Sequence, residues 1–168
     1  AANYPFFAGN VDALIAAQPK DLEASEIEVR LGATWLDKKY IEQFMYETFE
    51  THRYLRGQIE ISYVPYTAEW QVSRKSMVRY NDVAAFTTYG TDRASAYRLL
   101  EDALNLRDIR IYDTIEDADG RERRVLNAKE TTLAAQKQQL IRDAFKDWIW
   151  KDPERREMLV RQYNEEMN

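Results

Sequence analysis

Residues 58–74 read QIEISYVPYTAEWQVSR, and this stretch decides the fold class. Polar and apolar residues alternate on both sides of a turn-forming stretch at 65–68, which is the pattern of two half-buried strands joined as a β-hairpin. The residues predicted to face inward are Ile59, Ile61, Tyr63, Trp70 and Val72.

Other parts of the chain predict additional strands. Residues 26–31 also alternate, and Gly32 ends that pattern. A short strand is predicted near 77–80, followed by irregular chain. A second hairpin is predicted over 109–126, because Asp119-Gly120 supplies the positive φ of a tight turn.

Helices are predicted before, between and after these strands. A short helix is expected over 10–19, and a longer one over about 37–49 with Asp37 as its N-cap. Another helix follows residues 81–91, with Thr91 or Asp92 as the predicted cap.

The C-terminal part is predicted to be helical from about residue 128. Asp152-Pro153 ends one helix and begins another, because proline is favoured at the first helical position. The apolar stripe predicted for the longer helix comprises Leu133, Leu140, Ile141, Ala144, Phe145, Trp148 and Ile149.

These elements predict an α+β protein, with a small antiparallel sheet or two β-hairpins packed with about five helices. The predicted division is an N-terminal segment over 1–24, a core domain over 25–127, and a helical extension of the same domain over 128–168. The chain has 168 residues, and one domain is the default at this length.

Composition excludes most catalytic and metal sites. The chain has no cysteine, a single histidine (His52) and five scattered glycines. It therefore has no disulfide, thiolate zinc site, multi-histidine metal site or phosphate-binding glycine loop. We predict no catalytic residue, no metal and no cofactor. No apolar run approaches a membrane span, and no basic-then-apolar leader is present, so the expected location is cytoplasmic without a membrane partner.

Charge is unevenly distributed along the chain. The net charge is −5, yet residues 51–80 carry five cations against two carboxylates. Cations neutralise phosphates and exposed aromatic rings stack on bases, so this basic and aromatic segment suggests a nucleic-acid surface. The other interpretation is that its aromatic residues are core and its cations an ordinary rim. The nucleic-acid-binding candidates are Arg53, Arg56, Tyr66, Arg74, Lys75 and Arg79.

Several short stretches, taken in order, resemble one family. They are Leu31-Gly32-Ala33-Thr34-Trp35, Tyr89-Gly90-Thr91-Asp92-Arg93, Val125-Leu126-Asn127 with Lys129-Glu130-Thr131, residues 145–153 (FKDWIWKDP) with Arg155-Arg156, and Tyr163-Asn164. This set resembles the large fused DNA methyltransferase and Swi/Snf-type helicase proteins of bacterial mobile elements and phages.

The resemblance implies an internal domain that lies between the methyltransferase and the helicase motor. The family's methyltransferase and ATPase motifs are absent from these residues, so no catalytic role is carried over. The implied function is a non-catalytic accessory domain that assists DNA engagement, with DNA and the flanking domains as partners.

An alternative function is a structural module that positions the methyltransferase and helicase domains through protein–protein contacts. The last helix has only a thin apolar stripe, and Trp150 lies off the main stripe of the helix before it. The candidate partner contacts are Trp150, Leu159 and Tyr163.

Overall fold

A computed structural model describes residues 22–167 of the chain. The helix predicted over 10–19 lies outside the described residues. The described residues divide into two compact units, one formed by 22–28 with 153–167 and the other by Val29–Asp152. The first unit contains a 3₁₀ turn at Ala24–Glu26 and a helix whose bounds are given below.

The larger unit combines helices with two separate two-stranded antiparallel sheets, which confirms the α+β prediction in its two-hairpin form. Its elements are α1 (Lys38–Thr48), β1 (Ile61–Val64), β2 (Glu69–Val72), α2 (Ala96–Leu104), β3 (Tyr112–Glu116), β4 (Glu122–Leu126) and α3 (Ala128–Lys151). The smaller unit contains α4 (Pro153–Met167).

The predicted strand at 26–31 is wrong, although its pattern of burial is present. Alternate residues are buried and those between them exposed, but the segment pairs with no strand in the described part of the chain. An extended segment produces a period of two with or without a hydrogen-bonded neighbour. The strand predicted at 77–80 is also wrong, since Lys75–Met77 forms a 3₁₀ turn.

Ser95 caps α2, in place of the predicted Thr91 or Asp92. Its side chain accepts a hydrogen bond from the backbone N–H of Arg98 at 3.3 Å. Thr91 is used earlier, because its hydroxyl accepts from the N–H of Ala94 at 3.1 Å and closes a turn. Thr91 and Ser95 each accept a hydrogen bond from a nearby backbone N–H. The prediction was wrong in assigning the helix cap to Thr91 or Asp92, because Thr91 closes the preceding turn and Ser95 caps the helix.

Helix α3 packs on α1 and α2 through aromatic and aliphatic side chains. The rings of Phe44 and Phe145 meet edge to face with centroids 5.1 Å apart, and both side chains are fully buried. Two leucines predicted in the same stripe, Leu133 and Leu140, are exposed instead. The buried stripe comprises Ala134, Gln138, Ile141, Phe145 and Ile149, and at 100° per residue both leucines lie more than about 100° around the helix from its middle.

The β1–β2 hairpin is held by helix side chains along both of its edges. The Glu42 carboxylate accepts from the N–H of Ile61 at 2.8 Å, and that of Glu101 from the N–H of Val72 at 2.8 Å. Asn105 both accepts from and donates to the backbone of Trp70. These bonds satisfy backbone groups that a two-stranded sheet leaves open.

Burial and a hydrogen bond hold Tyr97 in the core beside the residues that follow α1. Its hydroxyl shares a 2.6 Å hydrogen bond with that of Thr51, and burial raises the pKa of Tyr97 to about 12.

Because the pKa of Tyr97 is higher in the folded than in the unfolded chain, the stability it contributes is present below pH 10 and is lost as the pH rises toward 12. We expect the wild-type protein to lose about 2 to 3 kcal/mol more of unfolding free energy across this interval than Tyr97→Phe does. Urea unfolding at several alkaline pH values checks this. If the free energy of unfolding fell equally with pH in the wild-type protein and in Tyr97→Phe, the prediction would be contradicted.

Candidate nucleic-acid interface

The chain's single histidine stacks on a tyrosine at the edge of a surface groove. The ring centroids of His52 and Tyr54 lie 5.5 Å apart at an interplanar angle of 23°. Both residues lie in the segment that follows α1, where Arg53–Leu55 forms a 3₁₀ turn. The exposed Arg53 stands between these two rings in the sequence.

The groove has a volume of about 710 Å³ and lies between this segment and residues 79–88. Arg79, Asn81 and Thr88 are among the residues that line it from the second side. The structure therefore places the predicted cation Arg79 in the groove lining, and the exposed Arg53 lies between two lining residues in the sequence.

One turn of π-helix, Ala84–Thr88, forms part of the groove wall. The carboxylate of Asp82 accepts a hydrogen bond from the N–H of Ala85 at 3.0 Å and supports the start of this turn. π-Helical turns are rare and frequently occur at functional sites.

Three tyrosines of the basic segment are exposed. Tyr54 is 60% exposed, Tyr66 98% and Tyr80 87%. The aromatic residues of the β1–β2 hairpin behave differently, because Trp70 is buried and the partly buried Tyr63 packs on it at 4.9 Å. The segment thus contains both core aromatic residues and solvent-exposed tyrosines.

Arg56 is engaged in holding the backbone. Its Nε donates to the carbonyl oxygen of Thr51 at 2.9 Å, and its Nη2 to that of Tyr46 at 3.4 Å. The guanidinium also lies 5.8 Å from the centroid of the Tyr46 ring. Contact between Arg56 and a phosphate would compete with these interactions.

Lys75 is similarly engaged. Its Nζ lies 2.8 Å from a carboxylate oxygen of Glu101 and donates to the carbonyl oxygen of Val72 at 3.1 Å. The neighbouring Arg74 is exposed and has a left-handed backbone with φ of 54°. Of these two candidates, only Arg74 presents a cation that is not bonded to a carboxylate in the described structure.

Tyr66 lies away from the arginine and lysine that follow β2. It occupies the turn between β1 and β2, whereas Arg74 and Lys75 follow the opposite end of β2. A strand of four residues spans about 13 Å, so the six predicted residues do not converge on one point.

The groove has mixed polarity. Glu50 and Asp82 line it together with His52 and Arg79. Among residues 22–167, no group of three or more histidine or carboxylate side chains is placed to hold a metal ion. The lining residues offer hydrogen-bond donors and acceptors, charged groups and the rings of His52 and Tyr54.

The predicted partner contacts differ in exposure. Trp150, at the end of α3, is partly exposed, and so is Tyr163 in α4. Leu159 in α4 is fully buried. The side chain of Leu159 is therefore not accessible to a partner in this structure.

Sequence reasoning did not select Tyr54, Asn81 or the π-helical turn as parts of a site. These residues lie where periodicity is weak, and a groove between two irregular segments has no local signature. The only available signal is the concentration of tyrosine and arginine over 53–80.

No helix in the described part of the chain is both long and apolar enough to cross a membrane. The larger unit defines the chain as an α+β protein with two hairpins and an aromatic, arginine-bearing groove. The chain belongs to the family described as a domain of unknown function, DUF8437, whose model matches residues 30–168. No curated protein and no solved structure gives a significant match.

Proposed function

We propose that this chain is a non-catalytic accessory domain of a cytoplasmic DNA methyltransferase–helicase protein and that it assists DNA engagement through the groove beside His52. The observation that carries the proposal is that Arg79 and the exposed Tyr54 line this groove, while the exposed Arg53 and Tyr80 are their neighbours in the sequence. The resemblance to fused methyltransferase–helicase proteins is the reason for assigning the domain to such a protein.

The two arginines provide the electrostatic part of binding. Both are exposed, and no ion pair engages either in the described structure. Arginine binds phosphate through a planar, bidentate fork, and each phosphate neutralised releases counterions. The groove carboxylates of Glu50 and Asp82 repel phosphate, so the DNA backbone is expected to follow the rim.

The tyrosines provide the stacking part. Tyr54 and Tyr80 present ring surface at low cost in side-chain entropy, and a base can stack on such a ring when it is not stacked in a duplex. Carboxylate and amide groups in the groove can accept hydrogen bonds from the amino groups of bases. The domain is therefore expected to prefer single-stranded DNA to duplex DNA.

The test is fluorescence anisotropy of a labelled 20-nucleotide single strand with the full 168-residue chain. The double variant Arg53→Ala/Arg79→Ala should bind roughly tenfold more weakly and reduce the slope of log K against log salt by about 1.4, because two phosphate contacts are lost. Tyr54→Leu/Tyr80→Leu should weaken binding by at least about fivefold with little change in slope.

A matched control is Arg30→Ala/Arg110→Ala, which removes two exposed arginines that neither line the groove nor adjoin a lining residue in the sequence. This control should bind within about twofold of wild type, since nonspecific charge loss alone has a small effect. Absence of salt-dependent binding, or equal losses in the groove and control variants, would refute the proposal.

A further inference from the structure

The β3–β4 hairpin is more exposed to solvent than the β1–β2 hairpin. All five residues of β4 are exposed, and so are the last three of β3. No third strand joins this sheet within the described residues. Both faces and an edge of the hairpin therefore meet solvent.

The register shows which backbone groups point outward from β4. The N–H of Asp117 donates to the carbonyl oxygen of Arg121 at 2.9 Å, which makes these two residues a hydrogen-bonded pair. Hydrogen-bonded and non-hydrogen-bonded pairs alternate in an antiparallel ladder. The N–H and C=O groups of Glu122 and Arg124 consequently point away from β3.

The β3 edge is covered in part. Arg93 donates from Nη2 to the carbonyl oxygen of Tyr112 at 2.9 Å and pairs with Asp113 at 2.8 Å. In the β1–β2 hairpin, the outward N–H groups of Ile61, Trp70 and Val72 are bonded to side chains of α1, α2 and the residue after α2. No such bond from the described residues reaches the outward groups of Glu122 or Arg124. Arg93 closes the β3 edge only at Tyr112, so β4 has the longer open edge.

Four consecutive side chains of β4 form a charged pair followed by an apolar pair. Arg123 and Arg124 are followed by Val125 and Leu126, which are 39% and 47% exposed. The Arg124 guanidinium lies 4.1 Å from the centroid of the Tyr112 ring, which orders it on one face. Neighbours across a strand pair are favoured when charges are opposite or both side chains are apolar.

We propose that the open edge of β4 binds an extended segment of a partner protein by strand addition. In antiparallel register, this segment has two successive apolar residues opposite Leu126 and Val125, followed by two acidic residues opposite Arg124 and Arg123. Backbone hydrogen bonds to Glu122 and Arg124 supply the pairing, and the side chains supply selectivity.

The charges disfavour two other occupants. Residues 112–126 carry five carboxylates and three guanidinium groups, so the hairpin as a whole repels a long polyanion such as nucleic acid, whereas a short acidic pair meets only Arg123 and Arg124. A second copy of β4 laid antiparallel can place Glu122 opposite Arg124. That register leaves Val125 and Leu126 opposite Arg121 and Gly120, so it does not match the apolar pair.

The test uses the ¹⁵N-labelled full chain and two synthetic peptides, acetyl-Thr-Val-Ile-Glu-Glu-Thr-amide and the same peptide with lysine in place of glutamate. The glutamate peptide should shift the amide resonances of Glu122 and Arg124 and slow their hydrogen exchange by at least about fivefold at saturation. The lysine peptide should bind about tenfold more weakly. Because this comparison uses the wild-type protein, it does not depend on the folding of a variant.

Arg123→Glu/Arg124→Glu should reverse the preference between the peptides, whereas Arg110→Glu, a single charge reversal outside the hairpin, should not. Equal binding of both peptides, or protection of the Thr114 amide on the β3 edge in place of Glu122 and Arg124, would overturn the proposal. It would also fail if a 20-nucleotide single strand protected the β4 amides and the glutamate peptide did not.

Discussion

Phe145→Ala is expected to lower the free energy of unfolding by about 3 to 5 kcal/mol, among the largest effects of any single truncation in the larger unit. The Phe145 side chain is fully buried, and its ring meets that of Phe44 edge to face. Phe44 in turn contacts Phe49 and Trp148, with ring centroids 6.1 and 5.7 Å away. Truncation therefore leaves a cavity where α1 and α3 meet, and rigid neighbours limit its collapse. Urea unfolding monitored by tryptophan fluorescence and far-UV circular dichroism measures the loss.

Leu140→Ala is the matched control for this prediction. It lies in the same helix and receives the same substitute, so the change in helix propensity is small in both variants. Leu140 is 44% exposed whereas Phe145 is 0% exposed, and we expect the control to cost less than about 1 kcal/mol. If both variants lost the same stability, the structure would have the wrong face of α3 buried.

Gly90→Ala is expected to destabilise the protein by about 3 kcal/mol or more, although it adds a single methyl group. A Cβ at this position would lie 2.0 Å from the carbonyl oxygen of Ala85 and 2.9 Å from backbone atoms of Ala94 and Ala96. These are backbone atoms of the π-helical turn and of the start of α2, so relief requires the chain itself to shift. The melting temperature should fall by roughly 6 to 12 °C, measured by differential scanning calorimetry.

Gly57→Ala distinguishes this steric effect from the general cost of replacing glycine. A Cβ at Gly57 would meet nothing within 4 Å, but its φ of +91° strains an L-residue. We therefore expect a loss of about 1 to 2 kcal/mol from backbone conformation alone. The prediction fails if the Gly90→Ala variant is as stable as the Gly57→Ala variant or more stable.

Most of the periodic elements were predicted correctly, but one of them was not. Alternation over 58–74 identified the first hairpin, and Asp119-Gly120 the second, because each pattern depends on neighbours along the chain. The same alternation gave a wrong strand at 26–31, because an extended segment resembles a strand whether or not another strand pairs with it.

The site was predicted less well than the fold. Arg53, Arg74 and Arg79 are exposed as the local charge suggested, but Arg56 bonds to the backbone of the preceding residues Tyr46 and Thr51, and Lys75 bonds to Glu101, 26 residues further along the chain. Nothing near Lys75 in the sequence identifies Glu101 as its partner. Whether a cation in a basic segment contacts a ligand or its own protein depends on such pairings.

The sequence by itself determined the fold class, the two hairpins and the exclusion of disulfides and thiolate metal sites, because these follow from composition and local periodicity. Only the tertiary structure decided which leucines of α3 are buried, how Gly90 is enclosed, and where the groove beside His52 lies. It also left the outward groups of β4 open, while side chains bond to outward backbone groups of β1, β2 and the start of β3. The physical reason is that burial, closure and edge capping are properties of packed pairs, and the members of each pair are separated along the chain by distances that local patterns do not span.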